Sequence, residues 1–187
     1  MGAVDRCHRT LARAALAIWL FVPFALPARK TVHSATDEQV RAAFFYQLAQ
    51  FVTWPEQKDR APIQFCVLGN DGFADMLDAV LKGKTIREHA LTVRKAANLD
   101  QFSGCHIAFL ALGKRKQLQD ALARWGYTQM LLVGEAEGFT EMGGMVNLKI
   151  DDGRVSIEIN LNAARKAGLD IRSQLLQVAR IVPGVKP

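Results

Sequence analysis

The sequence is poor in the side chains that do chemistry. It has three cysteines and four histidines in 187 residues. Cys7, His8 and His33 lie near the N-terminus, which leaves Cys66, Cys105, His89 and His106 for the rest of the chain. These four have no Cys/His spacing suited to zinc. No G-x-S-x-G nucleophile turn and no C-x-x-C pair occurs. Gly104-Cys105-His106 lacks the first cysteine of a haem attachment site. Lys82-Gly83-Lys84-Thr85 ends like a phosphate-binding loop, but the position that must be glycine is Asp78, and the segment follows a helical pattern and precedes a strand. The loop carboxylates Glu135 and Glu137 are the only foothold for an enzyme reading. The expectation is therefore no catalytic residue, no metal and no cofactor.

Long apolar runs are scarce too. The only candidate is Ala14 to Leu26, preceded by Arg6, Arg9 and Arg13 and interrupted by Pro23. It is too short to span a bilayer comfortably and reads as a signal peptide over residues 1–35, with Ala28, Ser34 or Ala35 as the last leader residue. A retained membrane anchor is the other reading. Residues 1–35 hold five of the 24 basic residues and one of the 18 acidic ones, so the net charge falls from +6 to 19 against 17, or +2, without them. The basic character belongs mostly to the leader, and no nucleic-acid footprint remains. Export would place Cys66 and Cys105 in an oxidising compartment, where an even number of thiols most simply forms one disulfide; two separate buried thiols are the alternative.

Repeats and low-complexity stretches are also lacking, and residues 36–187 read as one domain. Thr36-Asp37-Glu38-Gln39 has the form of a capping box. Behind it Val40, Phe44, Leu48, Phe51 and Val52 recur at helical spacing, and Pro55 bars Trp54 from the helix. Phe45 falls beside that stripe; it and Trp54 are candidates for the core or for dimer contacts. Strands are expected at 63–69, 90–96, 106–112 and 128–134, and helices at 73–83 and 116–126. "MVNLKID" and "RVSIEIN" around Asp152-Gly153 read as a β-hairpin. A final helix is expected over 161–181. The alternation predicts an α/β sandwich of flavodoxin or Rossmann type, with a mostly parallel central sheet, helices on both faces and an antiparallel C-terminal hairpin. In a doubly wound sheet the first and third strands are neighbours, which would bring Cys66 and Cys105 within bonding reach. The loops 69–72, 113–116 and 134–138 all follow strands and would gather at the edge where such sheets take ligands.

Several stretches together resemble the YfiR-like family of periplasmic proteins: "RAAFFYQLAQFVTWPE", "IQFCVLGNDGF", "AVLKGKTI", "FSGCHIAFL" and the long run "EGFTEMGGMVNLKIDDGRVSIEINLNAARKAGLDIRSQLLQVARIV". The resemblance spans about residues 40–182. It implies a periplasmic repressor that binds the periplasmic sensor domain of an inner-membrane diguanylate cyclase and holds it inactive, lowering cyclic di-GMP and biofilm formation. An outer-membrane lipoprotein that sequesters the repressor is the second implied partner. Cys66 and Cys105 match a family disulfide pair; the second pair that some members carry near "FTEMGGMVNL" is missing, so a structural disulfide is expected. The implied partner surface is C-terminal, with Phe139, Glu158 and the helix at 161–181 as candidates. A homodimer through Phe45 and Trp54 is a further expectation. The alternative function is a periplasmic small-ligand sensor that works with another membrane sensor such as a histidine kinase.

Overall fold

A computed structural model describes residues 36–55, 61–151 and 154–183. The expected leader at 1–35 and the turn residues Asp152 and Gly153 lie outside them. Among the described residues, no helix is long and apolar enough to cross a membrane.

Helix α1 (Asp37–Phe51) begins at the capping box. Thr36 Oγ1 accepts from the Gln39 N–H at 3.3 Å, and Gln39 Oε1 accepts from the Thr36 N–H at 2.9 Å. The buried face differs from the predicted stripe. It runs through Ala42, Phe45, Leu48 and Ala49, while Phe44 and Phe51 stay half-buried. The helix carries apolar residues on more than one side, so packing decided which side turned inward. α1 lies against both the sheet and helix α2 (Asp71–Leu81). Phe45 meets Phe73 of α2 and Phe109 of the sheet edge to face, each at 5.3 Å between centroids. Phe45 is 1% exposed and Trp54 6% exposed, which corrects the expectation that they form dimer contacts: both are spent on the core.

The main sheet contains β2 (Ile63–Leu68), β3 (Thr85–Ile86), β4 (His89–Ala96), β5 (Ile107–Leu110), β6 (Leu131–Gly134), β7 (Val146–Asp151), β8 (Arg154–Ile159) and β10 (Arg180–Ile181), in the spatial order β10-β8-β7-β6-β5-β2-β4-β3. β4, β2, β5 and β6 run parallel in the order of a doubly wound sheet. From β2 the chain crosses through α2 to β4 on one side. From β5 it crosses through α3 (Arg115–Trp125) to β6 on the other. Right-handed crossovers in opposite directions place α2 and α3 on opposite faces and make the β2–β5 boundary the switch point. Consistent with cover on both faces, every residue of β5 and β6 is buried.

β7 joins β6 in parallel and pairs antiparallel with β8 over six register positions, Val146↔Ile159 to Asp151↔Arg154. The predicted hairpin is therefore present as an antiparallel pair of the main sheet, as β3 and β4 are at its opposite end. The predicted helix at 161–181 is not one helix. It is α4 (Leu161–Lys166), β9 (Asp170–Ile171), α5 (Ser173–Leu176) and the edge strand β10. Gly168, at φ +75°, ends α4: its N–H reaches Arg165 O and the next N–H reaches Ala164 O, both at 2.9 Å. That left-handed stop outweighs the apolar spacing that continues beyond it. β9 then pairs antiparallel with β1 (Val52–Thr53), tying the end of α1 to the C-terminal segment.

Candidate functional site

Apart from the Arg41–Glu135 ion pair and ion pairs of exposed side chains, three constellations gather polar and sulfur groups among the described residues. The first is the disulfide. Cys66 in β2 and Cys105 just before β5 are bonded, with Cα atoms 6.0 Å apart, because their strands are neighbours. Arg94, the register partner of Cys66 on β4, donates to Ser103 O at 2.8 Å and lies 3.1 Å from Cys105 Sγ. A guanidinium thus caps the bond from the adjacent strand.

The second lies at the amino ends of the parallel strands. Trp54 Nε1–H donates to His106 O at 3.2 Å, and the two rings meet edge to face at 5.8 Å. His106 Nδ1 accepts from the Gln64 N–H at 3.1 Å, so the imidazole serves as a neutral acceptor. Burial pushes His106 below the ordinary histidine value, and His89 nearby pushes it further the same way. His89 Nδ1 lies 2.7 Å from Ala61 O. Both histidines hold backbone. The Trp-Pro at the end of α1 is accordingly a bolt between α1 and β5.

At the opposite, carboxyl edge, Arg41 of α1 crosses the switch point. Its guanidinium stands 5.6 Å from the Phe73 ring and 5.9 Å from the Phe109 ring, and it forms a 2.9 Å ion pair with Glu135. Gly69 presses so close to Ala111 O that an added Cβ would sit 2.4 Å from it. Arg41, Phe73, Phe109 and Glu135 thus meet near the edge where doubly wound sheets usually take a ligand, and Glu135 is a partner for Arg41.

The third constellation gathers around Glu158 on β8. Its Oε1 accepts from Arg180 of β10, its register partner. Its Oε2 accepts from Thr140 Oγ1–H at 3.3 Å and from Asn147 Nδ2–H at 3.4 Å. Asn147 also donates to Ala136 O at 3.0 Å, and Asn160 Nδ2–H donates to Thr140 O at 3.0 Å while its Oδ1 caps α4 at the Ala163 N–H. Burial alone would raise the Glu158 carboxyl. The hydrogen bonds from Arg180, Asn147 and Thr140 outweigh it, and the group is held below the usual carboxylate value. Glu158 is 13% exposed and Arg180 is 65% exposed, so the ion pair presents its cation outward.

The loop over this cluster is shaped by Phe139, which is 0% exposed. A Cβ at Gly134 would lie 2.6 Å from its ring and one at Gly144 would lie 2.2 Å from it. The two glycines make room for the ring, and the Gly144 N–H returns to Phe139 O at 2.9 Å. This corrects the expectation that Phe139 is a partner contact: it is the loop's internal anchor. Of the two predicted partner residues only Glu158 reaches the surface, and the tertiary structure adds Arg180, Asn147, Thr140 and Asn160 to it. Asn147 had a visible signal, a lone amide inside the apolar run "MVNLKI". Arg180 had none, since its partner lies 22 residues away. Among the described residues, no group of three or more His, Cys, Asp or Glu could hold a metal ion.

A solved structure, the crystal structure of a conserved domain protein from Vibrio cholerae O1 biovar eltor strain N16961, is similar with a TM-score of 0.50 and 13% identity, the match covering 80% of this chain and 60% of that one. At that identity the likeness is one of fold, and this chain spans less than two thirds of that protein. The family model described as YfiR/HmsC-like matches residues 38–180, from the first turn of α1 to β10 and through all three constellations. By that match, over most of its length, the chain belongs to the YfiR/HmsC-like family.

Proposed function

We propose that this protein is a periplasmic regulator that binds the periplasmic sensor domain of an inner-membrane diguanylate cyclase and holds the enzyme inactive. The observation that carries this reading is the family match over residues 38–180. Repression of this kind needs no active site: the regulator has only to bind the inactive conformation of its partner better than the active one. A hundredfold preference takes about 2.7 kcal/mol, within reach of a few well-seated contacts.

The partner surface we assign is the β8–β10 edge. Arg180 stands outward from Glu158, and Ile181 and Val178 beside it are 45% and 71% exposed. A short edge strand with an outward cation and exposed aliphatic residues suits a protein partner, since its backbone, charge and apolar surface are offered together. An outer-membrane lipoprotein competing for the same protein would provide the release step. The N-terminal segment, read as a signal peptide, would bring the chain to the periplasm.

The test is intracellular cyclic di-GMP in the source bacterium with the gene deleted and restored. A rise on deletion that the wild-type gene reverses supports the reading; no change under several growth conditions overturns it. A gene encoding Ile181→Asp should fail to restore repression while its product accumulates normally.

A further inference from the structure

His106 stands where β2, β5, β6 and the end of α1 meet, and its ring holds a bond that a proton abolishes. Its own N–H donates to Gln64 O at 2.8 Å, and its carbonyl accepts from the Leu131 N–H at 2.8 Å and from Trp54 Nε1–H at 3.2 Å. Its Nδ1 accepts from the Gln64 N–H at 3.1 Å. A backbone N–H can only donate, so this ring nitrogen carries no hydrogen in the folded chain. An imidazolium carries hydrogens on both nitrogens. Protonation sets N–H against N–H, and the ring must turn away from Gln64. His106 is half-buried, so protons reach it. His89 differs. Its Nδ1 faces Ala61 O at 2.7 Å, and a carbonyl accepts from imidazole and imidazolium alike.

Trp54 connects this ring to a small clip. It directly follows β1, whose two residues Val52 and Thr53 pair with Ile171 and Asp170 of β9. The Arg172 N–H adds one bond to Phe51 O at 2.9 Å. So short a pairing makes few bonds and opens before the core does. Trp54 backs it, held to His106 by the indole hydrogen bond and by the ring contact at 5.8 Å. We propose that His106 is an acid-operated latch: on taking up a proton it lets go of Gln64 and Trp54, and the β1–β9 clip between α1 and the C-terminal segment opens while the main sheet stays intact. The surroundings of the ring set the pH. Trp54 and Gln64 are uncharged, and Cys105 is tied into the disulfide. Arg87, in the turn before β4, reaches Thr53 Oγ1 at 3.4 Å. Burial resists the proton most, and His89 adds to the resistance. Among the described residues no carboxylate forms an ion pair with either histidine to hold the cation in place. The freed segment leads through α5 to β10 and Arg180, so acid acts on the surface assigned to the partner. That consequence rests on the assignment above; the latch itself does not.

Amide hydrogen exchange of the purified protein, followed by NMR from about pH 7.5 to about pH 5 and corrected for the intrinsic rate, tests this. The latched state binds fewer protons than the open one, so the latch is closed above the ordinary histidine value of about 6.5. Below it the protection of the Gln64 and Arg172 amides should fall about tenfold per pH unit until the folded value is reached. The Ala111 and Asn160 amides, bonded to Leu68 O and Met145 O away from the latch, should keep theirs. His106→Asn should keep Gln64 and Arg172 protected throughout, since an amide oxygen accepts without titrating. His89→Gln, at a position that leaves the latch bonds in place, should start the loss at higher pH because the repelling charge is gone. Protection of Gln64 and Arg172 that does not change with pH would overturn the proposal. So would a loss shared equally by Ala111 and Asn160, which is plain acid unfolding. A loss that His106→Asn leaves unaltered, or one that His89→Gln moves to lower pH, would overturn it as well.

Discussion

Two polar knots fasten this fold, and they are built on opposite principles. The Trp54–His106–Gln64 knot is neutral, made of an indole N–H, an imidazole acceptor and backbone groups at the amino ends of the parallel strands. The Glu158–Arg180–Asn147–Thr140 knot is ionic and lies where the hairpin meets the edge strand. The neutral knot is bound to the core through Trp54, which is almost fully buried. The ionic knot keeps its carboxylate inside and its cation in solvent. The first serves only to hold α1 to the sheet. The second also places a charged group on the surface, which suits contact with another molecule.

The comparison is tested most severely by removing the buried aromatic next to each knot. Trp54→Ala and Phe139→Ala should each cost about 3–5 kcal/mol in urea unfolding, since both side chains are buried. A Phe139→Ala cost near that of a surface substitution would show that the loop over Glu158 does not depend on its anchor. Next in size is Glu158→Gln. It removes the charge from the ionic knot and should cost about 1–2 kcal/mol, the lower part of the range for hydrogen bonds to charged groups because Arg180 is largely exposed.

Acid should separate the knots without mutation. His106 has a lowered proton affinity in the folded state, so below the ordinary histidine value of about 6.5 the unfolded chain binds a proton that the folded chain resists. Its contribution is present above that pH and is lost as pH falls through the folded value. Glu158 is lowered as well, so its contribution is present above the ordinary carboxylate value and is lost at still lower pH. Stability measured against pH should fall in two stages. His106→Asn should remove the first, since the amide oxygen accepts without titrating, and Glu158→Gln should diminish the second. A single stage unaffected by His106→Asn would break the distinction. The smallest effect is expected from Arg180→Ala: little change in stability at neutral pH for so exposed a partner, with the Glu158 stage moved to higher pH.

The legibility of these features in the sequence follows the range of the interactions. The capping box, the hairpin and the strand–helix alternation are set by neighbours a few residues apart, and each appears where the pattern places it. Phe45 was set beside the helical stripe because α1 has apolar residues on several sides; only the simultaneous presence of Phe73 and Phe109 turned it inward. In the C-terminal segment the apolar spacing continues past Gly168, whose left-handed turn ends the helix, so the pattern overstates the helix's length. Glu158 could be picked out by its resemblance to the family, whereas Arg180 could not, because a two-residue edge strand leaves no periodic trace. Phe139 is enclosed by Gly134 and Gly144, a packing that no pattern in the sequence marks.

The sequence by itself determined the α/β alternation, the start and stop of α1 and the antiparallel hairpin, because capping, turn chemistry and hydrophobic period act locally along the chain. Tertiary structure alone decided which face of α1 is buried, that Arg41 pairs with Glu135 over the Phe73 and Phe109 rings, and that Glu158 is held between Arg180 and Asn147. Those outcomes depend on side chains from distant elements competing for the same space and the same hydrogen bonds, and that competition exists only once the sheet has assembled.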